Sequence, residues 1–162
     1  MSYPPARYRG DTGEVSAMYR PVGQGPDLTI GSGTLVRYLA TGAATHGAFG
    51  LYRWDANPHT PGPKAHFHKT MSESFFVLSG TVRLFNGARW IDTTAGDFLY
   101  VPEGGIHAFH NESDKPASLL ILFAPGAPRE AYFEALAEKA AGRQFSDEEW
   151  KELCVRHDNY FL

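Results

Sequence analysis

The 162-residue chain has one cysteine, Cys154, so it can form no internal disulfide. It also lacks an excess of positive charge: 15 Lys and Arg stand against 18 Asp and Glu, for a formal net charge of −3. That offers no basic field to a nucleic acid or an anionic membrane surface. Long apolar runs are missing too. The richest stretch, 117-ASLLILFA-124, has the length of a strand and falls well short of the ~20 residues of a membrane span. The opening MSYPPARYRGD is polar and proline-bearing, without the apolar core of a secretory leader, so the expected location is the cytoplasm. With these classes set aside, the expected partner is a small molecule, without nucleic acid or membrane.

What the chain does contain is glycine and proline, 17 and 11 residues, spread between short apolar runs. Residues 1–27 carry Tyr3, Pro4, Pro5, Tyr8, Tyr19, Pro21 and Pro26 and read as an extended arm. Residues 28–125 read as a β-domain. Glycines 31, 33, 42, 47 and 50 break the first part into short antiparallel strands, and strand-like runs follow at 65–69, 74–79, 81–85, 98–101, 106–110 and 118–123. Asn86-Gly87 marks a hairpin, both residues being tolerant of positive φ. Gly31-Ser32-Gly33 lacks the third glycine and following helix of a dinucleotide fingerprint and is turn chemistry.

Residues 126–162 change character. Pro128 suits the first helical position, and 129-REAYFEALAEKAA-141 puts Tyr132, Phe133, Leu136 and Ala140 on one face before Gly142. Ser146 and Glu149 form a capping box ahead of a second helix over 147–157, with Trp150, Leu153 and Cys154 on one side. Both helices are expected to cover an end or edge of the β-domain.

The chemistry is concentrated in 66-HFHKTMSE-73 and 96-GDFLYVPEGGIHAFHN-111. His66 and His68 are two apart, so on a strand both imidazoles project to one face. Glu73 follows, and His107 arrives behind Pro102, Gly104 and Gly105. Three imidazoles and a carboxylate form a mixed N/O donor set suited to one divalent transition metal per chain, Fe, Mn, Ni, Cu or Zn, rather than Ca or Mg.

These residues resemble the two motifs of the cupin superfamily. His66, His68, Glu73 and Gly80 keep the intervals of the first, and Gly96, Pro102, Gly104, His107 and Asn111 those of the second. The one departure is Thr60 at the position of the opening glycine, with Gly62 two residues later. The likeness spans roughly residues 45–124. Many short strands argue for a sandwich or barrel, and the resemblance selects an all-β double-stranded β-helix, the jelly-roll cupin barrel, followed by two α-helices. It also implies a homodimer, the arm packing on the partner subunit.

Alternation from the ligands gives a candidate cavity lining. Glu73 inward implies Phe75 and Val77 inward, and His107 inward implies Phe109 inward. On an earlier strand Tyr52 and Trp54 share one face and Leu51 and Arg53 the other, and periodicity alone does not say which faces the metal; the two aromatics join the candidate substrate-binding set. Phe67 is expected to point away from the metal and His110 away from His107. His46, His59 and His157 read as solvated, with His59 kept as a gate candidate because its loop enters the ligand strand. Glu103 reads as exposed, and Asn111 as pinning a strand end.

The resemblance implies a metal-dependent oxidoreductase similar to small quercetin dioxygenase-like proteins, acting on an aromatic or enol substrate, with Glu73 as both ligand and catalytic base. Two alternatives stand beside it: a metal-dependent isomerase or polyketide-cyclase-like enzyme without redox chemistry, and a non-catalytic small-molecule-binding cupin. Nucleotide-sugar epimerases of the same superfamily fit less well because the ligand set is intact.

Overall fold

The computed structural model of the chain describes residues 2–31 and 33–162, so Ser32 of the expected Gly31–Gly33 turn lies outside the described residues. The first regular elements are β1 (Leu28–Ile30), β2 (Thr34–Ala40) and β3 (Gly50–Ala56). Then come β4 (His66–Phe67), β5 (Ser72–Ser79), β6 (Thr81–Phe85), β7 (Trp90–Thr94) and β8 (Phe98–Val101). β9 (Ala108–His110) and β10 (Ala117–Ala124) complete the main strands, before α1 (Glu130–Ala140), α2 (Asp147–Arg156) and a final strand β11 (Tyr160–Phe161). Residues 2–26 carry no strand or helix, and Tyr3, Tyr19 and Val22 stand exposed there.

One layer is a six-stranded sheet in the order β1-β2-β3-β10-β5-β8. The other begins as β7-β6-β9 and continues through the bridges His66–His107 and Thr60–Asn111 into the β4 segment, with β11 on the far side of β4. All these pairings are antiparallel. Mostly β with two short helices, this is the double-stranded β-helix.

Side-chain alternation explains how the layers close. On β10, Leu119, Ile121 and Phe123 turn inward and are at most 2% exposed. They meet Tyr52 of β3 and Phe75 and Val77 of β5 in one core cluster. Phe133 of α1 reaches into this cluster, with its ring centroid 5.1 Å from Tyr52 and 5.4 Å from Trp54, both edge-to-face. The Tyr52 hydroxyl donates to Glu130 at 2.5 Å, tying β3 to the first turn of the helix.

Three local expectations change in detail. Helix α1 begins at Glu130 behind Arg129 as N-cap, so Pro128 sits one residue outside it. The Asn86-Gly87 hairpin uses a positive φ only at Gly87, whereas Asn86 acts through its side chain, whose carbonyl accepts from the backbone N–H of Ala88 and Arg89 at 3.0 and 2.9 Å. His157 is half-buried rather than solvated. The capping box at Ser146 and Glu149 forms as read.

Gly62 carries the entering loop across β9. A Cβ there would lie 1.5 Å from the Phe109 carbonyl oxygen, so only glycine permits this approach. Gly62→Ala is expected to lower stability by about 3 kcal/mol through displacement of packed backbone, measured as a reduced midpoint in urea unfolding with an unchanged m value.

Candidate metal centre

Glu73 lies on β5 between Phe123 of β10 and Val101 of β8, which sets its side chain inside the barrel. His66 and His107 come from the opposite layer, where each backbone N–H donates to the other's carbonyl at 3.0 and 2.9 Å. His68 follows β4 directly. Each of these four residues offers a ligand atom, and the four atoms lie within 4.8 Å of one another. All four residues are at most 4% exposed.

Backbone carbonyls orient the imidazoles. His66 Nδ1 meets Lys64 O at 2.9 Å, His68 Nδ1 meets Asp158 O at 2.6 Å, and His107 Nδ1 meets Gly105 O at 2.9 Å. A carbonyl only accepts, so each Nδ1 carries the proton and each neutral ring keeps its Nε2 lone pair for the centre. There His68 Nε2 and His107 Nε2 stand 2.9 and 2.7 Å from Glu73 Oε2. Two neutral lone pairs facing a carboxylate repel, unless a proton or a cation stands between them. This donor set fits a divalent transition metal, for which three Nε2 atoms and a carboxylate are suitable ligands.

The protonation equilibria follow the same geometry. Burial pushes His66 down to about 4, only partly opposed by the Glu73 charge. Without a cation a proton fills that gap: burial alone would raise Glu73, but Nε2–H donors of His107 and His68 outweigh it and hold the carboxyl well below the usual range. For His107 burial lowers the affinity for a proton, and the bond to Glu73 more than restores it. The site thus keeps a carboxylate charged inside an apolar barrel by surrounding it with imidazoles.

His66 and Glu73 also line a cavity of about 840 Å³ bounded by both layers and by α1. Of the candidate substrate residues, Trp54 and Phe109 are on its wall, edge-to-face at 5.8 Å. Tyr52, Phe75 and Val77 are fully buried in the core instead, and none of them lines the cavity. Facing inward does not distinguish wall from filling: Phe75 is packed behind, with its ring 5.8 Å from His107 and 5.4 Å from Phe109. Phe67 turns away and stacks on Tyr160 at 5.3 Å. Asn111 donates to Asn57 O and Lys115 O at 2.9 and 2.8 Å, pinning the loop beyond β9. His59 is exposed beside Asp114 at 2.8 Å, outside the cavity wall.

Sequence reading missed the contribution of residues 157–162. Asp158, at φ 58°, gives its carbonyl to His68 while its carboxylate accepts from Lys69 N, Thr70 N and the Thr70 hydroxyl at 2.8–3.1 Å. Phe161 lies against the His66 ring at 5.4 Å and lines the cavity. Arg129 was missed as well: it is 3% exposed and lines the cavity. An alternation of two residues in 158-DNYFL-162 is too short to signal a strand, and nothing in Pro128-Arg129-Glu130 marks the cation as buried.

Comparison with known proteins agrees with this construction. The model of the cupin domain matches residues 52–123. An uncharacterised protein of Streptomyces coelicolor is 34% identical over 76 residues, which cover 47% of this chain and 68% of that protein. The chain belongs to the cupin superfamily. This cupin is also 28% identical over 128 residues to a quercetin 2,3-dioxygenase of Bacillus subtilis, covering 76% of the chain but only 35% of that longer enzyme. Among solved structures, a Cupin 2 conserved barrel domain protein from Salinispora arenicola superposes with a TM-score of 0.54 at 18% identity, over 79% of this chain and 98% of that one. No helix among the described residues is long and apolar enough to cross a membrane.

Two variants test the centre. His66→Ala is expected to abolish metal content after reconstitution, read by elemental analysis. Asp158→Gly keeps the positive φ but removes the carboxylate bonds to Lys69 and Thr70; it is expected to weaken metal binding by roughly 10- to 100-fold in a competition titration, as loss of outer-shell support does elsewhere.

Proposed function

We propose that this cupin is a metal-dependent oxidoreductase, a dioxygenase that acts on a small aromatic or enol-type substrate. The observation that carries the reading is that His66 and Glu73 belong both to the ligand cluster and to the wall of the 840 Å³ cavity. One side of the centre therefore opens onto space for a small molecule, between the faces and edges of Trp54 and Phe109. The likeness to a quercetin 2,3-dioxygenase supports the oxygen-dependent chemistry. His66, His68, His107 and Glu73 would hold one divalent transition metal, which supplies a Lewis-acidic centre favouring the deprotonated form of an enol or phenol.

The chain's own residues supply the remainder. The walls are mostly apolar and limit the access of bulk water to the substrate. Glu73 divides its oxygens: Oε2 faces His68 and His107, whereas Oε1 has no hydrogen bond among the described residues. Oε1 is the atom that accepts the substrate's hydroxyl proton. Exposed Tyr3, Tyr19 and Val22 on the arm support a homodimer in which the arm lies on a partner subunit.

Two measurements test this. Protein purified without added metal or chelator should contain Fe, Mn, Ni or Cu, and should consume oxygen when given a flavonol. Zinc, with turnover of an enol or carbonyl substrate under nitrogen, would replace the reading by non-redox isomerisation or cyclisation. Glu73→Gln is expected to lower turnover by about 10²- to 10⁴-fold, the usual scale for a lost general base, while metal content falls much less. Equal loss of both would remove the base role.

A further inference from the structure

Among the described residues, Arg129 is the one cation that the fold buries deeply in the cavity wall without a carboxylate in ion-pair contact. It sits at the N-cap of α1, 3% exposed, and its guanidinium lies 4.8 Å from the ring centroids of both Phe123 and Tyr132. Two donors are satisfied: Nη1 donates to His157 O, and Nη2 to Asn159 Oδ1 at 3.1 Å. Nε is buried with no partner, and no carboxylate pairs with the group among the described residues.

Carbonyl and amide oxygens satisfy N–H bonds but do not neutralise a charge, and an uncompensated buried cation is costly. The cavity supplies only part of the balance: Glu73 and Asp158 act on Arg129 through space, but neither forms an ion pair with it. Its wall includes Lys64, Arg129 and Lys139 against a single acidic side chain, Glu73, whose Oε2 is committed to His68 and His107. A cation 2+ at the centre would increase the positive excess.

We propose that Arg129 anchors the negatively charged end of the cavity's ligand, which is an amphipathic monoanion: an apolar or aromatic body for the Trp54–Phe109 wall, and a carboxylate or equivalent oxyanion for the guanidinium. This rests on the cavity being the substrate site, and it narrows the substrate class from aromatic enols in general to those bearing an acid group. A guanidinium presents several N–H donors in a planar fork suited to carboxylate oxygens. Arg129 is also held by the segment that supplies the carbonyl for His68, so the anchor and the ligand sphere are set by the same few residues, 157–159.

The test uses metal-stripped full-length protein, so that neither metal nor turnover contributes. Binding of 2-naphthoate and of its neutral counterpart 2-naphthamide is measured by calorimetry. Naphthoate is expected to bind about 10- to 100-fold more tightly, the range for a charge-assisted hydrogen bond. In Arg129→Gln the two should bind alike, with the amide unchanged; Arg129→Lys should restore part of the preference. Equal binding of both probes by the unaltered protein, binding of neither, or a preference that survives in Arg129→Gln would overturn the proposal. Should Arg129→Gln fail to fold, the unaltered protein and Arg129→Lys decide it. A protein that takes up no redox metal yet keeps the Arg129-dependent preference retains the anion site and loses the dioxygenase reading; the reverse result does the opposite.

Discussion

Three backbone carbonyls, those of Lys64, Gly105 and Asp158, determine the tautomers of the three imidazoles and thereby the donor character of the whole centre. With each Nδ1–H committed outward, the Nε2 lone pairs have only one direction in which to act, and that direction contains a carboxylate. A proton on Nε2 or a cation between the groups makes this arrangement favourable. The barrel around it can be understood as the framework that brings two layers of sheet close enough for His66 and His107 to exchange hydrogen bonds while Glu73 projects from the facing layer.

The same constraint explains how the largely irregular chain near the centre is held in place. β4 is only two residues long, yet it is held on both sides, by His107 on one and by β11 on the other. Asp158 fixes the turn after His68 by accepting hydrogen bonds from three donors, Lys69 N, Thr70 N and the Thr70 hydroxyl, with its carboxylate. Aromatic packing performs the corresponding task at the opposite boundary, where Phe133 fills the space between Tyr52, Trp54 and Phe123 and so defines how far the cavity extends.

Much of this was legible in the sequence. His66, His68, Glu73 and His107 were readable because motif spacing reflects strand geometry, and the strand runs were readable because apolar residues alternate. What stayed hidden depends on tertiary distance. Alternation correctly turns Phe75 and Val77 inward and leaves the face of Tyr52 open, but inward positions are shared between wall and filling, and only the packing of neighbouring rings separates them. The pairing of β11 with β4 and the burial of Arg129 join residues whose partners lie far away in the chain, so no local pattern records them.

The carbonyl that orients His68 belongs to a residue 90 positions later. The first metal motif is therefore incomplete as a local unit, however well the strands around it have paired. During synthesis the barrel's own strands emerge before residue 158, and a chain paused at that stage holds four ligands without the bond that fixes one of their tautomers. The centre is thus complete only once residues 157–161 have docked onto β4, which makes a short distal strand part of the first motif's own support.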